Sequence, residues 1–227
     1  MAQFSTIERI FMKVKTSLEP LGASLRCKRL NNTDFTIISN NCWGGRCYEY
    51  FGLQKKSPTV GMYFFAEDYV KLIQNLQYYM STELKMISAE QSRHADELRR
   101  RGQLHIPVGV LGGDIEIVFL HYKDSNLAKQ KWDRRVARIN WDNLIIKFSY
   151  MNFCEDTHIH QFEKLQGVKK FAFSGKAFPE YDDVYMIPGS EDGRVDNDTF
   201  YWNRYINVLA LLNAPKTGIN DLYITQE

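Results

Sequence analysis

The residues best suited to chemistry in this sequence include a glycine-containing block that runs from Ser39 to Gly45. Adjacent glycines let the backbone approach a ligand closely, and free N–H groups at such a turn can hold an anion. The candidate ligand contacts in this block are Ser39, Asn40, Asn41, Trp43, Gly44 and Gly45, whose amides and indole suit a sugar. The alternative is a tight strand-to-helix turn whose asparagines only cap the helix. The block is neither a dinucleotide-binding fingerprint nor a P-loop.

The second candidate region is the basic face of a helix predicted over 124–140. Its four cations are Lys131, Arg134, Arg135 and Arg138. Their side chains fall within roughly 100° of arc around the helix axis, on a different face from the apolar stripe of the same helix. Like charges at i,i+4 destabilise a helix by roughly 0.2–0.5 kcal/mol per pair, so we expect an anion to offset them. Structural carboxylates, a phosphate or sugar nucleotide, and a nucleic acid are the alternatives, and the near-neutral formal charge of +2 disfavours nucleic acid.

The third candidate region is the end of the most apolar predicted strand, over 115–122. His121 is the candidate catalytic residue, as a general acid or base, and Tyr122 is a further candidate ligand contact. A structural, hydrogen-bonded histidine explains His121 equally well. Cys42 would be a thiol nucleophile if its strand neighboured that of His121, although buried free cysteines are commonly inert.

The triplet Asp196-Asn197-Asp198 spells the DxD pattern that holds a divalent ion in many glycosyltransferases. It leads into a helix predicted over 198–213, so we interpret it as a helix cap. His158 and His160 are not followed by further ligands, and we predict no metal site. The sequence indicates no particular cofactor.

The predicted elements that position these residues alternate between strand and helix over 35–173. Predicted strands cover 35–39, 59–64, 107–111, 115–122, 144–148 and 169–173, and predicted helices include 5–18 and 67–80. This alternation predicts a three-layer α/β fold with a mainly parallel, Rossmann-like sheet and an antiparallel hairpin at one edge. In such sheets ligands bind outside the carboxyl ends of the strands, where most candidate residues lie.

Length and composition favour one α/β domain over 1–227, with a helical segment at 1–30 packed on it. Hydrophobic residues make up 44% of the 227 residues and charged residues 25%, which excludes a disordered chain. Residues 84–104 are charged and weakly patterned, so we predict a surface excursion there, and we predict a long loop over 179–198. No apolar run is long enough to span a membrane and no signal peptide is evident, so we expect a cytoplasmic protein with reduced cysteines.

Two sets of blocks resemble a bacterial family of unknown function labelled "exopolysaccharide biosynthesis protein". The first set consists of Ser39–Gly45, Gly52-Leu53 and 57–61. The second set consists of 119–122, 131–135, 138–141 and Asn143. The resemblance covers about residues 35–175 and implies an α/β fold and a role in surface glycan assembly, without specifying a reaction. It also marks Trp132 and Asn140 as site or framework residues. Ser125 and Asn126 stand where the family has acidic residues.

Together these observations predict a transferase-like protein of surface polysaccharide biosynthesis that binds a phosphorylated or nucleotide-linked sugar. The glycine block and the basic helix face would bind the anion, and His121 would be the acid or base. The alternative is a non-catalytic glycan-assembly or ligand-binding module of the same pathway. Membrane-associated glycan-assembly proteins are possible partners, and no nucleic acid is expected.

Overall fold

The computed structural model describes residues 18–195, 197–200 and 202–225. The helix predicted over 5–18 lies outside the described residues except for its last residue, Leu18. The strands are β1 Thr36–Ser39, β2 Lys85–Ile87, β3 Val108–Leu111, β4 Ile115–Val118, β5 Leu144–Ser149, β6 Leu165–Gln166, β7 Lys169–Ser174, β8 Val184–Met186 and β9 Tyr223–Ile224. The α-helices are α1 Ala23–Cys27, α2 Trp43–Phe51, α3 Ala66–Gln74, α4 Leu76–Ser81, α5 Ala95–Arg100, α6 Ser125–Val136, α7 Asp156–Glu163 and α8 Val208–Asn213.

A four-stranded parallel sheet in the order β1-β5-β7-β8 forms the centre of the fold. Alternate residues of β5 point to opposite faces, as strand geometry requires. Ile146 packs with residues of α3, α6 and α7, whereas Ile145 packs with residues of α2 and α8. Helices therefore cover both faces of the sheet. The predicted α/β, Rossmann-like class is confirmed.

A second, antiparallel sheet in the order β2-β3-β4 contains the predicted hairpin. Gly112 and Gly113 connect β3 to β4 with φ angles of 60° and 90°, a conformation that favours glycine. The prediction placed this hairpin at the edge of the parallel sheet, whereas β3 pairs with β2 in a separate sheet. The prediction of a strand over 59–64 was wrong, because turns occupy that segment and only Tyr63 forms an isolated bridge, to Val118.

Residues 84–104, predicted as a surface excursion, supply β2 and α5. Leu84 and Leu98 in this segment are buried. The buried carboxylate of Asp68 on α3 accepts hydrogen bonds from the side chains of Arg93 and His94. These contacts fasten the segment to α3 and to the second sheet. The prediction of a single domain over 1–227 stays a prediction.

Two further predictions were wrong near the C-terminus. The predicted loop over 179–198 contains β8, which adds the fourth strand to the parallel sheet. The helix predicted over 198–213 spans only Val208–Asn213, and the Asn207 side chain caps it by accepting a hydrogen bond from the Ala210 N–H at 3.0 Å. No helix within the described residues has the length and apolar character needed to cross a bilayer.

Candidate functional site

Polar side chains gather where the neighbouring strands β1 and β5 end. The register of the parallel pair places Ser39 beside Lys147. Asn41 follows β1, and Ser149 is the last residue of β5. All four side chains are buried. This polar group therefore lies at the carboxyl edge of the parallel sheet, the edge at which ligands bind in open α/β sheets.

Lys147 is the central residue of this group, and its side chain is fully buried. Its ammonium group donates hydrogen bonds to Asn41 Oδ1 at 3.0 Å and to Ser149 Oγ at 2.6 Å, and it forms an ion pair with Asp198. Burial lowers the pKa of Lys147, while the negative charge of Asp198 acts in the opposite direction. The ammonium group is thus held by one carboxylate and two neutral acceptors.

Asp198 closes the group from the C-terminal third of the chain. Its Oδ2 atom accepts hydrogen bonds from Asn41 Nδ2 at 2.9 Å and from Ser149 Oγ at 2.6 Å, in addition to the ion pair with Lys147. Its Oδ1 atom has no hydrogen-bond partner among the described residues, and Asp198 lines a cavity. The prediction that Asp198 caps a helix was wrong, because the residue lies ten positions before α8. Asp196 lies outside the described residues.

The cavity beside this group has a volume of about 470 Å³. The lining residues that could interact directly with a ligand include Asn41, Cys42, Arg101, His121, Asn152 and Asp198. Burial, and secondarily the charge of Asp198, raise the pKa of the Cys42 thiol to about 11. Cys42 is therefore a thiol rather than a thiolate at neutral pH, which disfavours its role as a nucleophile.

Arg101 is the only lysine or arginine that lines the cavity in the described parts of the chain. Its Nε donates to Glu97 at 2.6 Å and its Nη1 donates to Asn152 Oδ1 at 2.9 Å. Arg100, followed by Arg101, lowers the pKa of Glu97 to about 2. These two hydrogen bonds, together with the contact of the guanidinium group with the Tyr63 ring, fix the orientation of Arg101 beside the cavity.

Strained backbone lies beside Arg101. Asn152 and Phe153 have φ angles of 55° and 63°, a region that residues other than glycine seldom adopt. Asn152 is held there because its carbonyl accepts from the Ala66 N–H at 3.0 Å and its side chain donates to the Phe64 carbonyl at 3.1 Å. Such conformations persist where the surroundings enforce them, often at functional sites.

The family described as "Domain of unknown function (DUF1919)" matches residues 15–211. The chain belongs to the DUF1919 family. It is also similar to an uncharacterized protein of Haemophilus influenzae, with 30% identity over 201 residues, which covers 85% of this chain and 90% of that protein. The exopolysaccharide label suggested by the sequence blocks appears in neither description and stays a prediction.

In this DUF1919 chain, two predicted site residues line the cavity, Asn41 and the exposed His121. Tyr122 lies next to His121 but points elsewhere, because its hydroxyl donates to the Val60 carbonyl at 2.6 Å. Asn40 is buried, donates to the Ser149 carbonyl at 2.9 Å and leaves its own Oδ1 without a described partner. The structure thus brings together part of the glycine block and the end of the second sheet.

Trp43, Gly44 and Gly45 of the glycine block form the first turn of α2 and are buried. The Trp43 indole N–H donates to the Trp202 carbonyl at 3.0 Å, so in this structure the ring is not free to stack on a sugar. A Cβ atom on Gly44 would lie 3.1 Å from Ile37, and one on Gly45 would lie 3.0 Å from Val60. The glycines therefore serve close packing of α2.

The basic face of α6 does not line the cavity of the DUF1919 chain. Arg135 is buried and donates to the Val60 carbonyl at 3.0 Å and to the Tyr122 hydroxyl. Lys131, Arg134 and Arg138 form no ion pair with any described residue. The two other residues that the resemblance marked have structural contacts: Trp132 is buried in the core, and Asn140 donates to the Asp34 carbonyl at 3.0 Å.

Sequence reasoning missed Lys147, Ser149, Arg101 and Asn152. One signal was available, since Lys147 is a single charge inside the apolar run 144–148, which was predicted to be a buried strand. A buried charge needs a partner, and that requirement alone pointed to a carboxylate elsewhere in the chain. Within the described residues, no group of three or more His, Cys, Asp or Glu side chains is placed to hold a metal ion.

Proposed function

We propose that this protein is a cytoplasmic, transferase-like protein of surface polysaccharide biosynthesis that binds a phosphorylated or nucleotide-linked sugar. The observation that carries the proposal is the cavity at the carboxyl edge of the parallel sheet, which gathers an imidazole, a guanidinium group, a carboxylate and several amides. The resemblance of the sequence blocks to the exopolysaccharide family supports the choice of pathway.

The lining of the cavity suits a polyhydroxylated ligand. Gln103, Asn197 and Thr199 supply neutral hydrogen-bonding groups around the opening. Small-molecule sites commonly measure about 300–1,000 Å³ and carry a few well-placed polar groups, and the cavity of about 470 Å³ fits that description.

The anionic part of the ligand is assigned to Arg101. Lys147 is fully buried against Asp198 and does not line the cavity, whereas Arg101, although paired with Glu97, does line it. Charge-assisted hydrogen bonds to phosphate are stronger than neutral ones, and the fixed orientation of Arg101 favours them further. The basic face of α6 is assigned no part in this cavity.

The proposed transfer follows from these positions. The imidazole of His121 takes the proton of an acceptor hydroxyl, whose oxygen then forms the new bond to the sugar carbon. The bond from that carbon to the leaving phosphate breaks, and the phosphate departs with the electron pair. Arg101 stabilises the negative charge that develops on the phosphate. Asp198 accepts a hydrogen bond from a sugar hydroxyl through Oδ1.

The first experiment measures ligand binding by thermal shift and calorimetry across a panel of nucleotide-linked and phosphorylated sugars, with and without Mg²⁺. A ligand that binds only the native state raises its melting temperature. Arg101→Gln should weaken binding by roughly 10- to 150-fold, the worth of a hydrogen bond to a charged group. Arg99→Gln, on the same segment but exposed and outside the cavity, is the matched control.

Two outcomes separate the proposal from its alternatives. His121→Gln should retain binding but lower turnover by roughly 10²- to 10⁴-fold, as removal of a general acid or base does. Binding without turnover in the native protein indicates the non-catalytic module. If Arg134→Gln abolishes binding and Arg101→Gln does not, the ligand occupies the face of α6 and the cavity assignment fails.

A further inference from the structure

A second open cavity, of about 510 Å³, lies against α1, α2 and the segment that precedes α8. It shares no lining residue with the cavity at the carboxyl edge. Its polar lining within the described residues includes Arg26, Arg29, Asn203, Arg204 and Asn207. No acidic side chain from the described parts of the chain lines it.

The three arginines of this cavity have no carboxylate partner among the described residues. Arg26 lies with its guanidinium carbon 4.0 Å from the ring centroid of Tyr50, and its Nε donates to the Tyr50 carbonyl at 2.8 Å. Arg29 and Arg204 are exposed. Uncompensated like charges around one concavity repel one another, and a bound anion removes that repulsion. The lining therefore favours a phosphate-bearing ligand.

A row of exposed leucines leads to the same arginines. Leu18, Leu21 and Leu25 expose 58%, 83% and 70% of their surface and stand three and four residues apart. Leu25 immediately precedes Arg26 and lies four positions before Arg29 on α1 and its C-terminal extension. Large apolar side chains exposed in a row, with cations beside them, are typical of surfaces that lie in a membrane interface.

We propose that this surface binds the phosphate headgroup of an anionic membrane phospholipid in the arginine-lined cavity, with Leu21 and Leu25 entering the interfacial layer. A free phosphate accounts for the arginines but leaves the leucines exposed to water. A membrane surface satisfies both, because it offers negative charge and an apolar layer within a few ångströms of each other. The inference does not depend on the reaction proposed above.

The test is cosedimentation of the full chain with vesicles of phosphatidylcholine alone and of phosphatidylcholine mixed with phosphatidylglycerol. The native protein should bind the anionic vesicles and not the neutral ones. The double variant Arg29→Gln/Arg204→Gln should bind about thirtyfold more weakly, since each Lys or Arg near an anionic surface contributes about 1 kcal/mol. Residues 1–17 are unchanged in every variant, so a difference in vesicle binding between variants is caused by the substituted residues of this surface.

Two further variants separate the membrane site from general charge. Lys85→Gln/Arg99→Gln makes the same charge change at exposed positions on the second sheet and α5, and should leave vesicle binding unchanged. Leu21→Ser/Leu25→Ser should weaken the part of the binding that survives high salt, because apolar contact is not screened. Melting temperatures measured without vesicles establish that each variant is folded.

The results that overturn the proposal are equally specific. They are failure of the native protein to bind anionic vesicles, equal binding to neutral vesicles, or equal losses in Arg29→Gln/Arg204→Gln and Lys85→Gln/Arg99→Gln. Stabilisation by inorganic phosphate without vesicle binding also overturns it, and assigns the cavity to a free anion. A stoichiometric complex with a protein, blocked by Leu21→Ser/Leu25→Ser in the absence of vesicles, assigns the leucine row to a protein partner instead.

Discussion

Asp198→Asn tests how far the buried group at the carboxyl edge depends on charge balance. The substitution keeps the size of the side chain but leaves the ammonium group of Lys147 without its carboxylate. Breaking a buried ion pair by removing one partner costs about 3–5 kcal/mol. Lys147 still donates to Asn41 and Ser149, so we expect a loss near the lower bound, about 3 kcal/mol at pH 7.

The pH dependence of this loss identifies its cause. Burial already lowers the pKa of Lys147, and the charge of Asp198 opposes that shift, so Asp198→Asn must lower the pKa further. Between this lowered value and the ordinary value near 10.4, the unfolded chain binds more protons than the native one, and stability rises with pH. The difference between native protein and variant should therefore shrink as pH rises from 7 towards about 10.

The assay is urea unfolding followed by fluorescence of the four tryptophans. The double variant Lys147→Met/Asp198→Asn removes both charges and should be more stable than Asp198→Asn alone. Glu67→Gln removes an exposed carboxylate, 3.0 Å from Lys71 on α3, and should change stability by less than about 0.5 kcal/mol. The reasoning is refuted if Asp198→Asn costs no more than Glu67→Gln, or if its cost does not vary with pH.

Three further predictions concern thiol reactivity, ionisation and packing. Alkylation of Cys42, followed by mass spectrometry against pH, should rise with a midpoint near its pKa of about 11, and a midpoint near 8.5 would contradict its burial. Burial raises the pKa of Glu163 to about 7, so its ionisation destabilises the native state increasingly as pH rises from about 4.3 to 7. Chemical unfolding of Glu163→Gln should therefore show its stability relative to the native protein rising over that range, and a flat difference would contradict the shift. In Gly109→Ala the new Cβ would lie 2.6 Å from Leu84 and 2.8 Å from Phe119, so thermal unfolding should reveal a loss of about 1–3 kcal/mol, and an unchanged melting temperature would contradict this.

The fold was predictable where strands are long and apolar. Residues 144–148 are apolar except for Lys147, and residues 171–173 are apolar, which is the pattern of strands buried on both faces. Strand β8, Val184–Met186, has only three residues and is followed closely by Pro188 and Gly189, so its local sequence favours a loop. The pairing of β8 with β7 depends on tertiary structure and is not predicted by the local sequence.

The site was predictable only in its location. The rule that ligands bind at the carboxyl ends of parallel strands applies to Asn41, which follows β1, whereas His121 reaches the cavity from the separate antiparallel sheet. Asp198 was misinterpreted because a carboxylate before a predicted helix has the same local pattern whether it caps the helix or pairs with a distant lysine. Arg101 was missed because the apolar residues of 84–104 show no clear helical or strand periodicity. The position of this segment depends instead on its contact with the buried Asp68 of α3.

The cavity at the carboxyl edge is built from two different sheets. Asn41 and Asp198 belong to the parallel sheet and its loops, whereas His121 follows the hairpin of the second sheet and Arg101 follows α5. A molecule bound between them would act as a bridge, because separating the sheets would then require releasing it. Amide hydrogen exchange should accordingly slow in both sheets together when the cavity is filled, and a response confined to one sheet would indicate contact with one wall alone.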